Sequence, residues 1–242
     1  MIRVGVLGAA GRMGSETCRA VDGDPELELV ARVGREDPLE ALVSARAEVA
    51  VELTTPASVK ENVRFCLSNG IHCVVGATGL TDDDLADVRE WTGPANALVA
   101  PNFALGAVLM MAFAAAAAKH FDTAEIVERH HERKQDAPSG TALRTARMMK
   151  EARGGRAWSS RRGDESVPGS RGGDVDGIRI HSLRVPGSVA HQEVVLGAPG
   201  ETLTIRHDST DRTSFMPGVL LAVKRVPHLG GLVVGLENVL DL

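Results

Sequence analysis

The sequence predicts an α/β fold, in which helices cover both faces of a parallel sheet and a second, α+β domain is inserted before the chain returns to the first. Three observations carry this expectation. Short apolar runs alternate with helix-compatible segments over roughly the first hundred residues. Gly8, Gly11 and Gly14 follow the first apolar run directly. Beyond Asn102 the pattern changes to a long Ala-rich stretch and several strands, and a last apolar helix and strand end the sequence. These changes put the first domain at 1–103 and 213–242 and the inserted domain at 104–212.

"IRVGVL" is an apolar strand that passes through the glycines into the helix-compatible "SETCRAVDG", a βα unit. "LELVARV" (Leu27 to Val33) is a second strand and "DPLEALVSA" a short helix. "AEVAVELTTP", "IHCVVGATG" and "ALVAPNF" are further strands, with helical segments such as "ASVKENVRFCLSNG" between them. Near-continuous apolar strands alternating with helices imply a sheet buried on both faces. "ALGAVLMMAFAAAAA", fifteen residues from Ala104 to Ala118, falls short of the about 20 needed to cross a bilayer, so it is expected as a buried or subunit-facing helix.

"TAEIVERH" follows as a strand, and "ALRTARMMKEA" as a helix expected to bury Leu143, Ala146 and Met149. "RRGDESVPGSRGGDVDG", from Arg161 to Gly177, has the composition of a mobile surface loop with solvated arginines. "IRIHSLRV", "SVAHQEVVLG" and "ETLTIRHDS" are expected as consecutive antiparallel strands. "SFMPGVLLAVKRV" and "GLVVGLENVLDL" supply a terminal helix and strand that return to the first domain.

Composition narrows the function. The 27 basic and 32 acidic residues give a formal charge of −5 and are mixed along the chain, which argues against a nucleic-acid partner. Cys18, Cys66 and Cys73 lie in apolar stretches without paired spacing, as buried reduced thiols do. No charged leader with an apolar core and cleavage site is visible, so a cytoplasmic location is expected, with no membrane partner.

The glycines are spaced GxxGxxG rather than GxGxxG, but the physical demand is similar. The backbone must turn sharply after the strand, approach a pyrophosphate closely and seat the helix near the sheet. A plain structural turn is the alternative. The place of the glycines after the first strand of a parallel sheet favours a Rossmann-like, doubly wound nucleotide domain. Such a site usually carries an acid about 20 residues beyond the last glycine. Here "VARVGRED" places Gly34 there and Arg35 beside it, removing a group that would repel a 2′-phosphate and offering a guanidinium to pair with one. The other reading is a solvated Arg35, with Glu36 or Asp37 reaching the ribose by a shifted register. "GATG" (Gly76 to Gly79) and "APNFALG" (Ala100 to Gly106) follow strands at the carboxyl edge of the sheet, where ligands bind, or are ordinary turns.

"VERHHERKQDAPSGTALRTA", from Val127 to Ala146, joins two histidines, a lysine and a helix start. An anion, a metal or nothing are chemically possible there. Strand alternation sends His130 and His131 to opposite sides, so that one projects at a ligand. No HExxH pattern or Cys/His cluster completes a metal site, and no metal is expected. Ser139, Gly140 and Thr141 open a helix whose free amides and dipole favour an anion, with Lys134 adding a full charge, which suits a carboxylate. An ordinary capped helix beside a solvated lysine is the alternative.

In order along essentially the whole chain, "GVLGAAGRMG", "ELTTP", "VVGATG", "APNFALG", "ERHHERKQDAPSGTA" and "GETLTIRHDSTDRTSFMPG" resemble the 4-hydroxy-tetrahydrodipicolinate (dihydrodipicolinate) reductase family. The resemblance implies an oxidoreductase of lysine and diaminopimelate biosynthesis that uses NADPH or NADH on a dicarboxylate substrate. It also implies a homotetramer built through the sheet of the inserted substrate domain. By position, His130 corresponds to the proton donor and Lys134 to the residue that positions the substrate and its protonation. His131, Gly140 and Thr141 correspond to substrate-binding positions. Gly8, Gly11, Arg12 and Met13 correspond to the cofactor loop, Gly76, Thr78, Ala100 and Phe103 to positions near the nicotinamide, and Arg212 to one near the domain junction. Hydride transfer to the dehydrated ring followed by protonation is the implied chemistry. The chain departs from the family pattern at Glu52-Leu53-Thr54, commonly Asp-Phe-Thr, and at Ala77, commonly Thr. A paralogue reducing a related cyclic imine, a non-catalytic nucleotide sensor and an assembly protein are the competing functions.

Overall fold

The structure, a computed structural model, describes residues 1–159 and 164–240. It divides into two compact units, Met1–Ala104 with Arg212–Leu242, and Leu105–Asp211.

The first unit begins with β1 (Ile2–Leu7), α1 (Arg12–Asp22), β2 (Leu27–Val33) and α2 (Glu40–Ser44). It continues with β3 (Val49–Glu52), α3 (Val59–Ser68), β4 (His72–Val75), α4 (Asp82–Trp91) and β5 (Ala97–Val99). The strands pair in parallel in the order β2-β1-β3-β4-β5, as the alternating pattern predicts. Every residue of β3 and β5 is buried, which is why these strands are written in Val, Ala and Leu with almost no alternation, apart from the buried acid Glu52 that ends β3. Helix α1 buries Gly14, Thr17, Cys18 and Val21, one stripe at helical spacing. Thr81 and Asp84 close a reciprocal capping box at the start of α4.

Gly14 is required by close approach. A Cβ there would stand 2.1 Å from the Gly8 carbonyl oxygen and 2.8 Å from the Ala9 Cα, and backbone cannot swing aside. Gly14→Ala should therefore destabilise the protein by about 1–3 kcal/mol, the usual range for overpacking. Urea unfolding checks this, and an unchanged midpoint would mean that α1 shifts freely on its strand.

In the second unit, α5 (Leu105–Ala118) leads to β6 (Thr123–His130) and α6 (Gly140–Ala152). The strands β7 (Gly173–Val175), β8 (Ile178–Arg184), β9 (Ala190–Ala198) and β10 (Glu201–Ser209) follow. After this unit the chain re-enters the first as α7 (Met216–Arg225) and β11 (Leu232–Val234), the latter pairing in parallel with β5. Cys18, Cys66 and Cys73 are free and buried. Among the described residues, no helix is long and apolar enough to cross a membrane.

The second unit corrects three sequence expectations. Its sheet runs β10-β9-β6-β8-β7, so β8 and β9, although consecutive, do not pair. Instead β6 lies between them, parallel to β8 and antiparallel to β9. Their connection crosses the end of β6, where the Val185 N–H donates to the His130 carbonyl at 2.9 Å. The presumed loop contains β7, and its Arg171 is paired with Glu125 rather than merely solvated; Arg161, Arg162 and Gly163 lie outside the described residues. The buried stripe of α6 is Ala142, Thr145, Ala146 and Met149, while Leu143 is 37% exposed. Thr145 belongs inside because its hydroxyl donates to the Thr141 carbonyl and accepts from Gln192.

Candidate active site

Some of the expected residues gather in two places, one in each unit. In the first unit the chain passes from β1 to β2 on one side and then to β3 on the other. The carboxyl ends of β1 and β3 thus form a topological switch point, the general ligand position of open α/β sheets. A cavity of about 570 Å³ lies there, lined by Gly8, Ala10 and Gly11, by Gly34, Arg35 and Asp37, and by Leu53, Thr54 and Asn62 among others. Gly8 has φ +76°, and a Cβ on it would meet the Leu53 carbonyl oxygen at 2.7 Å. Gly11 is the N-cap of α1 without a side-chain cap, leaving room at the helix start that a capping side chain would fill.

Arg35 and Asp37 both face this cavity, so neither reading of "VGRED" stands alone. The Gly34 N–H donates to Asp37 Oδ2 at 2.8 Å, and a Cβ on Gly34 would lie 3.1 Å from that oxygen. The carboxylate missing at position 34 is thus returned by a residue three positions later. Behind the opposite wall Glu52 is fully buried, and its Oε1 accepts from the Thr54 N–H at 3.2 Å, the Thr54 hydroxyl and the Asn62 amide at 3.0 Å. Burial pushes its carboxyl above the usual range against these hydrogen bonds. Asn62 is a site residue missed in the sequence, because nothing in an amphipathic helix marks an asparagine as the partner of a buried acid.

The other expected cofactor positions do not line this cavity. Arg12 is exposed and Met13 partly so, in the first turn of α1. A Cβ on Gly76 would meet Phe103 at 2.6 Å and Leu53 at 2.8 Å, so Gly76 lets these side chains close over the end of β4. Ala100 and Phe103 are buried, whereas Thr78 is exposed. Arg212 is exposed in a single 3-10 turn, Arg212–Phe215.

In the second unit β6 ends at His130, so strand alternation does not extend to His131. Alternation instead puts Glu128 on the face of His130, and the His130 Nδ1–H donates to Glu128 Oε2 at 2.6 Å. Glu128 is fully buried and accepts a two-pronged bond from Arg184, 2.9 Å to each oxygen. Burial alone would raise its carboxyl, but hydrogen bonds from Arg184, Ser182 and His130 hold it below the usual range. Burial depresses His130 most, and the Lys134 and Arg184 charges add to this against the opposing pull of Glu128. The His131 Nδ1 is buried with no hydrogen-bond partner among the described residues.

Lys134 is partly exposed and paired: its Nζ donates to both oxygens of Asp136 at 2.8 and 2.9 Å, and that hydrogen bond lowers the Asp136 carboxyl. Ser139 caps α6, its hydroxyl accepting from the Ala142 N–H at 3.2 Å. A Cβ on Gly140 would meet no atom of the described residues within 4 Å, so the space beside the first residue of this helix is open. Among the described residues, no group of three or more His, Cys, Asp or Glu side chains is placed to hold a metal ion. The larger cavity, about 800 Å³ beside Glu125, Arg179 and His181, contains none of the expected site residues.

Comparison with known proteins follows the same two-part division. The family model described as dihydrodipicolinate reductase, N-terminus, matches residues 2–103, and the one described as dihydrodipicolinate reductase, C-terminus, matches residues 106–240. A 4-hydroxy-tetrahydrodipicolinate reductase of Streptomyces griseus subsp. griseus is 54% identical over 247 aligned positions, covering 100% of this chain and 98% of the relative. The enzyme of the same name from Mycolicibacterium vanbaalenii is 52% identical, with both chains covered completely. Among solved structures, a dipicolinate-bound dihydrodipicolinate reductase from Paenisporosarcina sp. TG-14 superposes with a TM-score of 0.92 at 41% identity, covering 99% of this chain and 100% of that one.

Proposed function

The chain belongs to the dihydrodipicolinate reductase family, and on that premise we propose that it reduces 4-hydroxy-tetrahydrodipicolinate to tetrahydrodipicolinate with NADPH or NADH, serving lysine and diaminopimelate biosynthesis. The observation that carries this reading is one buried carboxylate, Glu128, that joins His130 to the Ser139-capped helix start, with Lys134 tied to the same cluster through Arg184 and its charge acting on His130. A nucleotide sensor or an assembly protein has no use for an oriented histidine beside a lysine. A paralogue acting on a related cyclic imine has no separate observation in its favour.

The first unit suits a dinucleotide. Gly8 and Gly11 keep side chains away from the start of α1, and the cavity at the switch point has room for a ribose beside Arg35 and Asp37. Arg12 and Met13 contribute first-turn amides, while Gly76, Thr78, Ala100, Phe103 and Arg212 serve the nicotinamide side. When bound, the reduced cofactor supplies a hydride to the dehydrated ring of the substrate. Lys134 exchanges Asp136 for a substrate carboxylate, and the amides of Gly140 and Thr141 share that charge. His131 turns its unpartnered nitrogen to the second carboxylate or ring. His130, its Nδ1–H held by Glu128, delivers a proton from Nε2 to the substrate as negative charge develops there. The substrate's negative charge opposes the depression of His130 and favours the imidazolium needed for that step. The chain acts as a cytoplasmic homotetramer joined through the open face of the second sheet, as the family resemblance implies.

A coupled assay with freshly generated 4-hydroxy-tetrahydrodipicolinate, following NADPH oxidation, tests the function. Cofactor binding without turnover would leave a nucleotide-binding protein of another role.

Cofactor choice gives a finer prediction. Arg35 attracts a 2′-phosphate and Asp37 repels it, and the two face the same cavity. Arg35→Ala should lower kcat/KM for NADPH by roughly tenfold, the loss of one charged hydrogen bond, with little change for NADH. Asp37→Asn should shift the preference toward NADPH. Wild type should use NADPH at least as well as NADH, and a strong NADH preference unmoved by either substitution would remove both residues from cofactor selection.

A further inference from the structure

We propose that the buried Glu128–Arg184 pair is the positioning device of the active site, presenting His130 through Nε2 and holding the Lys134 segment and the start of α6 in register with it. This rests on the reading of His130 as proton donor. Five hydrogen-bonded partnerships carry it. Glu128 Oε2 takes the His130 Nδ1–H at 2.6 Å, while Oε1 accepts from the Ser139 N–H at 3.2 Å, at the N-cap of α6. Arg184 clamps both oxygens and also donates to the carbonyls of Lys134 at 3.3 Å and Asp136 at 2.5 Å. One ion pair therefore touches the end of β6, the Lys134–Asp136 segment and the start of α6.

The chemistry of the pair accounts for its effect. A carboxylate only accepts, so Nδ1 must carry the proton and Nε2 is left to exchange one with the substrate. A buried ion pair gives weak net stability compared with apolar side chains of similar volume, because desolvation offsets the attraction. Its use here lies in what it orients. The charged groups facing His130 are Glu128 on its own strand, Lys134 on the following segment and Arg184 on β8. Without the carboxylate, two cations remain and the imidazolium is disfavoured.

Glu128→Gln retains an oxygen that can accept from Nδ1–H but removes the charge. Its alkaline limb of kcat should move down by roughly one pH unit or more, the usual effect of losing an adjacent opposite charge. The resulting loss of about tenfold in kcat above the limb should recover on acidification, with KM little changed. A merely structural role would lower activity at every pH alike. NMR titration of the His130 ring in the ligand-free protein should register the same fall independently of turnover. Arg184→Lys keeps a charge but loses the fork, so it should raise the substrate KM through the Lys134 segment. If Glu128→Gln loses its fold, as judged by Tm and NADPH binding, Glu128→Met/Arg184→Met removes both charges and the Nδ1 acceptor together, with apolar side chains in the place of the buried pair. In that variant the His130 ¹⁵N shifts should move from the Nδ1–H form toward the tautomer mixture of free imidazole. Unchanged titration of His130 in Glu128→Gln, or an unchanged tautomer in the double variant, would overturn the positioning role. Wild type that fails to turn over the substrate while these NMR changes occur would instead overturn the functional reading alone.

Discussion

Replacing His130 with Gln should lower kcat by about 10²–10⁴-fold, the usual contribution of a positioned general acid, and change the substrate KM far less. Glutamine keeps a polar side chain at the end of β6 and can donate a hydrogen bond, but it has no acidic proton to transfer. Glu128, fully buried, would still find a donor in the new amide, and Arg184 would still hold it, so the fold should survive. The measurement is steady-state kinetics with both substrates varied, together with the Tm of the variant. A near-normal kcat would make His130 a structural histidine on a buried acid.

Lys134→Ala should weaken pyridine-2,6-dicarboxylate, a planar dicarboxylate expected to compete with substrate, by about 1.5–3 kcal/mol, the loss of a charged hydrogen bond. That corresponds to roughly ten- to 150-fold in Kd. Lys134 is held by Asp136 in the ligand-free protein, so binding exchanges one carboxylate for another and the net gain is smaller than for a free ammonium. NADPH affinity should change little, because Lys134 and the glycine turn belong to different units. Calorimetric titrations of inhibitor, with cofactor present, and of NADPH alone separate the outcomes. Unchanged inhibitor affinity would remove Lys134 from the anion site, and an equal loss of NADPH affinity would point to a disturbed fold.

Much of the first unit was legible because its signals are local. A buried parallel strand must be apolar along its length, and a helix seated on a tight turn must carry glycine where backbone comes within 2.1 Å of a Cβ. The helix start at Ser139 was legible for the same reason, since a cap and the amides it serves lie within one turn. The order of strands in the second sheet was not. Consecutive strands separated by a short connection usually pair, but here the connection passes over the end of β6, and no residue in it records which strand it must straddle.

The sequence by itself determined the fold class, the family and the cluster around His130, Lys134 and Ser139, because each depends on residue types at short spacing. Only the tertiary structure decided what those residues touch. Arg184 lies 56 positions from Glu128, and parallel pairing of β8 with β6 brings the two together. Asp37 looked like one of two acids after a strand until the turn folded its carboxylate onto the Gly34 amide. Lys134 looked free until Asp136 was seen to hold it. Charge and hydrogen-bond capacity are written in the residue, but the electrostatic environment that sets their use is a sum over neighbours assembled from distant segments. That sum exists only once the chain has folded.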